Sequence, residues 1–123
     1  MSPARRKSAA AARSFRAPRD FRRGAPVFAA LGDDVRLALV TRLSARGPMS
    51  TMRLSEGAGV TRQAVSKHLE VLAGAGVVHS TRQGRERIWE VDSAPLHAAQ
   101  EWLDAISRDW DRALSRLKAF VEE

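Results

Sequence analysis

No apolar periodicity of three to four residues, or of two, runs through residues 1–23, MSPARRKSAAAARSFRAPRDFRR. Met1, Phe15 and Phe21 are the only large apolar side chains there, and Pro3 and Pro18 would interrupt a helix. A pattern begins after Gly24. Val27, Phe28 and Leu31 sit at helical spacing and stop at Gly32, a helix-ending residue. Asp33 or Asp34 can cap a second helix with a side-chain oxygen. That helix carries Val35, Leu37, Leu39, Val40 and Leu43 until Gly47-Pro48 stops it. Ser50 or Thr51 can cap a short third helix reaching about Gly57, with Met52, Leu54 and Ala58 as its thin apolar content. Gly59-Val60 makes a turn. Thr61 then caps a fourth helix over 61–74, TRQAVSKHLEVLAG, which turns Ala64, Val65, Leu69, Leu72 and Ala73 inward and ends at Gly74 and Gly76.

The period then shortens. VVHSTR (77–82) and RIWEV (87–91) are β-branched or aromatic with loose alternation, and they flank Gln83-Gly84-Arg85-Glu86, a hairpin signal. Asp92, Ser93 and Pro95 open a last helix that can run to about Val121, with Pro in its first turn. Along it Leu96, Ala99, Leu103, Ile106, Trp110, Ala113, Leu117 and Phe120 follow alternating steps of three and four, a seam of nearly four heptads. Trp102, Leu114 and Val121 widen the stripe. A domain of this size can cover part of such a face, and a second chain covers the rest more easily.

A short helix, a turn and a capped helix make a helix-turn-helix unit, and a hairpin behind it makes the winged version. The expected fold is therefore mainly α with a small β-hairpin wing, a winged helix-turn-helix of five helices. The expected organisation is a disordered basic tail over 1–23 and one folded domain over 24–123. With Val65, Leu69 and Leu72 inward, the fourth helix shows Arg62, Gln63, Ser66, Lys67 and, further on, Glu70. Arg can pair with guanine O6/N7 and Gln with adenine N6/N7. Ser66 and Lys67 suit phosphate or short base contacts, and the helix start at Thr61 offers N–H groups to a phosphate. Taken alone, these residues describe an ordinary solvated helix face. The wing changes the weighting, because Arg82, Arg85 and Arg87 surround Gly84 with only Glu86 opposing.

Charge sharpens this reading. The 123 residues carry 21 Lys and Arg against 14 Asp and Glu, a net +7 that points to a polyanion: nucleic acid or an anionic membrane. The tail accounts for that excess, with eight basic residues and one acidic, while residues 24–123 hold thirteen of each. Within the domain, residues 36–87 hold nine basic and three acidic residues, and residues 88–123 four and eight. Positive charge thus sits on the candidate reading elements. The tail's Arg, Ala and Ser also match an organellar transit peptide. No apolar run approaches eighteen residues, so no membrane span is expected. Cysteine is absent, which excludes a disulfide framework, a thiolate metal site and a cysteine nucleophile. No paired-carboxylate pattern, Gly-rich phosphate loop or nucleophile with a base appears, so an enzyme is not expected and no cofactor is implied.

LGDDVRLALVTRLS, then GVTRQAVSKHLEVLAGAGVV and GRERIWEVD, resemble the ArsR-type winged-helix repressors of bacteria over about residues 26–123. The resemblance implies a cytoplasmic homodimeric repressor binding double-stranded DNA at an imperfect palindromic operator. It implies contacts from Thr61, Arg62, Gln63, Ser66 and Lys67 at or beside the major groove, with Arg82, Arg85 and Arg87 on the wing. It also implies a dimer joined through the first and last helices, with Phe28, Leu96, Leu103, Ile106, Trp110 and Leu117 at the interface. The long helix looks like the branch without a metal site. Asp92, His97 and Glu101 nevertheless form a candidate metal set, since a His–Glu pair at i,i+4 can ligate. His68 is expected to pack or hydrogen-bond at the wing base. Two other functions fit the same residues: a winged-helix protein-interaction module and a metal-responsive repressor. The effector is not readable from the sequence.

Overall fold

The computed structural model describes residues 24–122. The expected basic tail, 1–23, lies outside the described residues. Five helices and three short strands follow in the order α1 (Ala25–Leu31), α2 (Asp34–Arg46), β1 (Met49–Ser50), α3 (Thr51–Ser55), α4 (Arg62–Gly74), β2 (Val78–Gln83), β3 (Glu86–Val91) and α5 (Ser93–Glu122). The strands form one antiparallel sheet in the order β1-β3-β2. This is the winged helix-turn-helix expected from the apolar spacing.

Each helix start of the reading half is closed by a short polar side chain. Asp33 accepts from the Arg36 backbone N–H at 3.0 Å, Ser50 from Arg53 at 3.2 Å and Thr61 from Ala64 at 3.1 Å. Each bond satisfies a donor that the first helical turn leaves without a partner. α2 ends at Gly47, whose φ of +85° disfavours any side chain, and the Gly47 N–H closes on Leu43 O at 2.9 Å.

The core lies where α2, α3 and α4 meet the sheet. Leu39 and Leu43 from α2, Leu54 from α3, and Val65, Leu69 and Leu72 from α4 close on Val77, Val78 and Trp89. On a helix of 3.6 residues per turn the α4 positions share one face. Leu37, one of the apolar positions of α2, is 47% exposed. At 100° per residue it lies on the side of α2 away from Leu39, Val40 and Leu43. α3 stops at Ser55 rather than near Gly57. β1 was not signalled by the sequence, because two residues show no period. It pairs Met49 with Trp89 and Ser50 with Ile88.

His68 is not at the wing base. Its Nδ1 lies 3.1 Å from Arg36 Nη1 and 3.8 Å from the Asp33 carboxylate, at the junction of α1 and α2. Arg36 also donates from Nε to Ala30 O at 2.6 Å and reaches Ala29 O at 3.5 Å, which closes the end of α1. The guanidinium therefore links α1, α2 and α4. The sequence could not show this, since the partners are 32 residues apart.

The backbone N–H of Arg36 holds the Asp33 carboxyl below the usual carboxylate range, the Arg36 and His68 charges add to that, and desolvation partly opposes it. A lowered folded value contributes stability above the unfolded value, and that stability is lost as pH falls through the folded one. Asp33→Ala is accordingly expected to lower the melting temperature near neutral pH. The difference from wild type should shrink as pH falls through and below the carboxylate range. Thermal melts followed by circular dichroism over that range check it, and a pH-independent difference would contradict it.

Candidate nucleic-acid interface

α3 and α4 form the helix-turn-helix, and two features fix how α4 is presented. Val65, Leu69 and Leu72 are fully buried, so the helix cannot rotate about its axis without opening the core. Arg42 of α2 reaches across to close the end of α3, donating to Leu54 O at 2.9 Å and to Glu56 O and Arg53 O at 3.2 Å. The opposite face of α4 then carries Arg62, Gln63 and Lys67 in solvent with Ser66 half-buried beside them. Thr61 is exposed as well, with its hydroxyl committed to the cap. Among the described residues neither Arg62 nor Lys67 forms an ion pair. Uncompensated cations beside the N–H end of a helix suit a phosphate backbone.

The wing is a hairpin in strict antiparallel register, from Val78 opposite Val91 to Gln83 opposite Glu86. Gly84 has φ +65° at the first turn position, as a tight two-residue hairpin of this kind needs, and Arg85 occupies the second. Arg82 lies directly across from Arg87, so the two share one face of the ribbon.

The three wing arginines do not act alike. Arg87 turns back to α4. Its Nη1 donates to the Glu70 carboxylate, its Nε donates to Ser80 Oγ at 2.8 Å, and its guanidinium lies 4.3 Å from the centre of the Trp89 ring. An ion pair this exposed contributes at most about 1 kcal/mol by itself. The hydroxyl and the indole face hold the guanidinium in one orientation as well. Trp89 is buried, and its Nε1 donates to Thr51 Oγ1 on α3 at 2.8 Å. Arg82 and Arg85 form no ion pair among the described residues. Arg62, Lys67, Arg82 and Arg85 are thus the free cations of α4 and the wing, while Arg36, Arg42 and Arg87 are held by partners within the fold. In the sequence Arg87 groups with Arg82 and Arg85, because Glu70 lies 17 residues away.

The other expected sets separate in the same way. α5 is 30 residues long, about 45 Å. Of its seam only Ala99 is buried, with Leu96, Ile106 and Ala113 half-buried. Leu103, Trp110, Leu117 and Phe120 are 51%, 64%, 60% and 76% exposed. Phe28 of α1 meets Trp102 of α5 with ring centroids 5.5 Å apart, which brings α1 alongside the long helix. Asp92, His97 and Glu101 are not drawn together, and no group of three or more His, Asp or Glu that could hold a metal forms among the described residues. His97 instead lines an open hollow of about 440 Å³ with Leu43, Pro48, Glu90, Leu96 and Gln100. No described helix is long and apolar enough to cross a membrane.

A helix-turn-helix domain family matches residues 31–81. The HTH-type transcriptional regulator Rv2034 of Mycobacterium tuberculosis is 38% identical over 93 residues, covering 76% of this chain and 83% of that protein. An ArsR-like transcriptional regulator from Rhodococcus sp. RHA1 has a similar structure, with TM-score 0.72 and 36% identity over 84% of this chain and 94% of its own. The homodimeric winged helix-turn-helix DNA-binding domain Mb0332 of Mycobacterium bovis shares the fold at TM-score 0.57 and 22% identity, over 89% of this chain and 88% of its own.

A free arginine at a hairpin tip is able to meet a phosphate. Arg85→Ala is expected to weaken binding to any duplex and to flatten the dependence of log affinity on log salt by about one unit. Titrations between 50 and 200 mM salt measure this, and an unchanged slope would remove Arg85 from the interface.

Proposed function

The chain belongs to the ArsR-type winged helix-turn-helix transcriptional regulators, and within that family we propose that it is a homodimeric repressor of a palindromic DNA operator. The observation that carries this is the placing of cations on α4 and the wing: Arg62, Lys67, Arg82 and Arg85 have no acidic partner among the described residues, while Arg36, Arg42 and Arg87 are tied into the fold. α4 enters the major groove N-terminus first. Arg62 pairs with a guanine and Gln63 with an adenine. Ser66 and Lys67 meet phosphate or adjacent base edges, and the Thr61 end of the helix receives a phosphate. Arg82 and Arg85 of the wing lie on the flanking backbone.

Two protomers are needed to read a palindrome, and α5 supplies the means. Large apolar side chains in a continuous stripe are costly to leave in water, and Leu103, Trp110, Leu117 and Phe120 form such a stripe. A second copy of α5 covers it, with Phe28, Leu96 and Ile106 at the inner end where α1 adjoins. Two-fold symmetry then sets the half-sites about 34 Å apart. Repression follows from occupancy of the operator, without bond-making chemistry, in the cytoplasm where the DNA lies.

Selection of bound duplexes from a random pool at physiological salt tests the reading. A palindromic consensus is expected from the wild type, and Arg62→Ala or Gln63→Ala should relax one base position each, by about 1–3 kcal/mol. Leu103→Asp should give a monomer in sedimentation and recover no palindrome. Recovery of no palindrome by the wild type would overturn the proposal, and an unchanged dimer with Leu103→Asp would overturn the α5 interface.

A further inference from the structure

Glu70 is the one acidic residue on the reading face of α4, four residues and one turn beyond Ser66. An unpaired carboxylate there would oppose a phosphate backbone. Its partner Arg87 comes from the wing, and a series of three contacts with one branch at Arg87 joins Glu70 to the rest of the reading half. Glu70 of α4 holds Arg87 of β3, Arg87 binds Ser80 of β2 and stacks on Trp89, and Trp89 donates to Thr51 of α3.

We infer that Glu70 is a positioning and specificity residue that clamps Arg87 to α4 and so keeps a third wing cation off the DNA backbone. This rests on the DNA-binding function proposed above. Two consequences follow. The clamp sets the distance between α4 and the wing tip, so Arg82 and Arg85 meet the backbone at a fixed span from the bases that Arg62 and Gln63 read. It also limits sequence-independent attraction. Arg87 faces Arg82 across the hairpin, so releasing Arg87 would present two adjacent arginines to any duplex. Non-specific binding grows with each phosphate neutralised, whereas base readout does not. Glu70 therefore raises the ratio of operator to non-specific affinity at the expense of total affinity.

The test uses the full chain and two duplexes, the selected operator and an unrelated sequence, titrated between 50 and 200 mM salt, with Arg85→Ala as the reference for a free cation. Glu70→Gln, which keeps the side-chain shape, is expected to steepen the salt slope on the unrelated duplex by about one unit and to lower the operator preference severalfold. In the double variant Glu70→Gln with Arg87→Ala, the slope should return to the wild-type value, because the gain comes from Arg87. Arg87→Ala alone should lower operator affinity and change the slope on the unrelated duplex by well under one unit. An unchanged slope with Glu70→Gln would overturn the inference, as would a double variant that keeps the steep slope. So would Arg87→Ala that flattens the slope as Arg85→Ala does. If the wild type binds neither duplex, the DNA function itself fails and the clamp with it. Binding by the wild type with no effect of Glu70→Gln removes the clamp alone.

Discussion

A buried indole carries one N–H that must find an acceptor, and here that requirement falls on Trp89. Its Nε1 reaches Thr51 Oγ1 at 2.8 Å, at the start of α3. Trp89 also pairs with Met49 of β1 and Ser80 of β2, and one ring face carries the Arg87 guanidinium. A single residue thus pairs with both neighbouring strands through its backbone, while its side chain meets the first helix of the helix-turn-helix and the arginine whose ion pair reaches α4. The wing's position relative to the reading helix depends on it. A two-stranded ribbon alone is marginal in water, and this one is held at its base by the buried ring.

The charge distribution follows from the same division of labour. The net +7 of the sequence points at a polyanion, but the excess lies in residues 1–23, and residues 24–123 balance thirteen basic residues with thirteen acidic. Within the domain the nine basic residues of 36–87 are not one patch. Arg36 closes α1 and meets His68, Arg42 closes α3, and Arg87 is held by Glu70. Arginine suits these tasks because its planar fork can satisfy several carbonyls or a carboxylate at once. Of the six left over, Arg62 and Lys67 lie on the solvent face of α4 and Arg82 and Arg85 on the wing, while Arg46 ends α2 and Arg53 lies on α3. α5, with five acidic and four basic residues, has no excess of positive charge and carries an exposed apolar stripe, a combination that fits a partner helix better than a nucleic acid.

The fold was largely legible because its signals are local. Helical spacing on α2, α4 and α5, the caps at Ser50 and Thr61, and Gly84 between two β-rich runs each act within a few residues. What stayed hidden acts across the chain. β1 is two residues long and exists only because β3 lies beside it. His68 meets Arg36 rather than the wing, and Arg87 meets Glu70, through separations of 32 and 17 residues that no periodicity reports. The choice between Asp33 and Asp34 was open in sequence, and the backbone settled it, since only Asp33 has the extended conformation of a cap. For the candidate site, residue types identified the face of α4, but only the packed structure separates Arg82 and Arg85 from Arg87.

In the proposed complex two copies of one unit, α4 with its clamped wing, read DNA across a dyad. Hydroxyl-radical footprinting of the wild type on its selected duplex tests this most directly. Two equal protected windows related by a two-fold axis are expected, their centres about one helical turn apart, each flanked by a weaker protection from the wing. A single unpaired window, or protection that spreads evenly along the duplex, would contradict it.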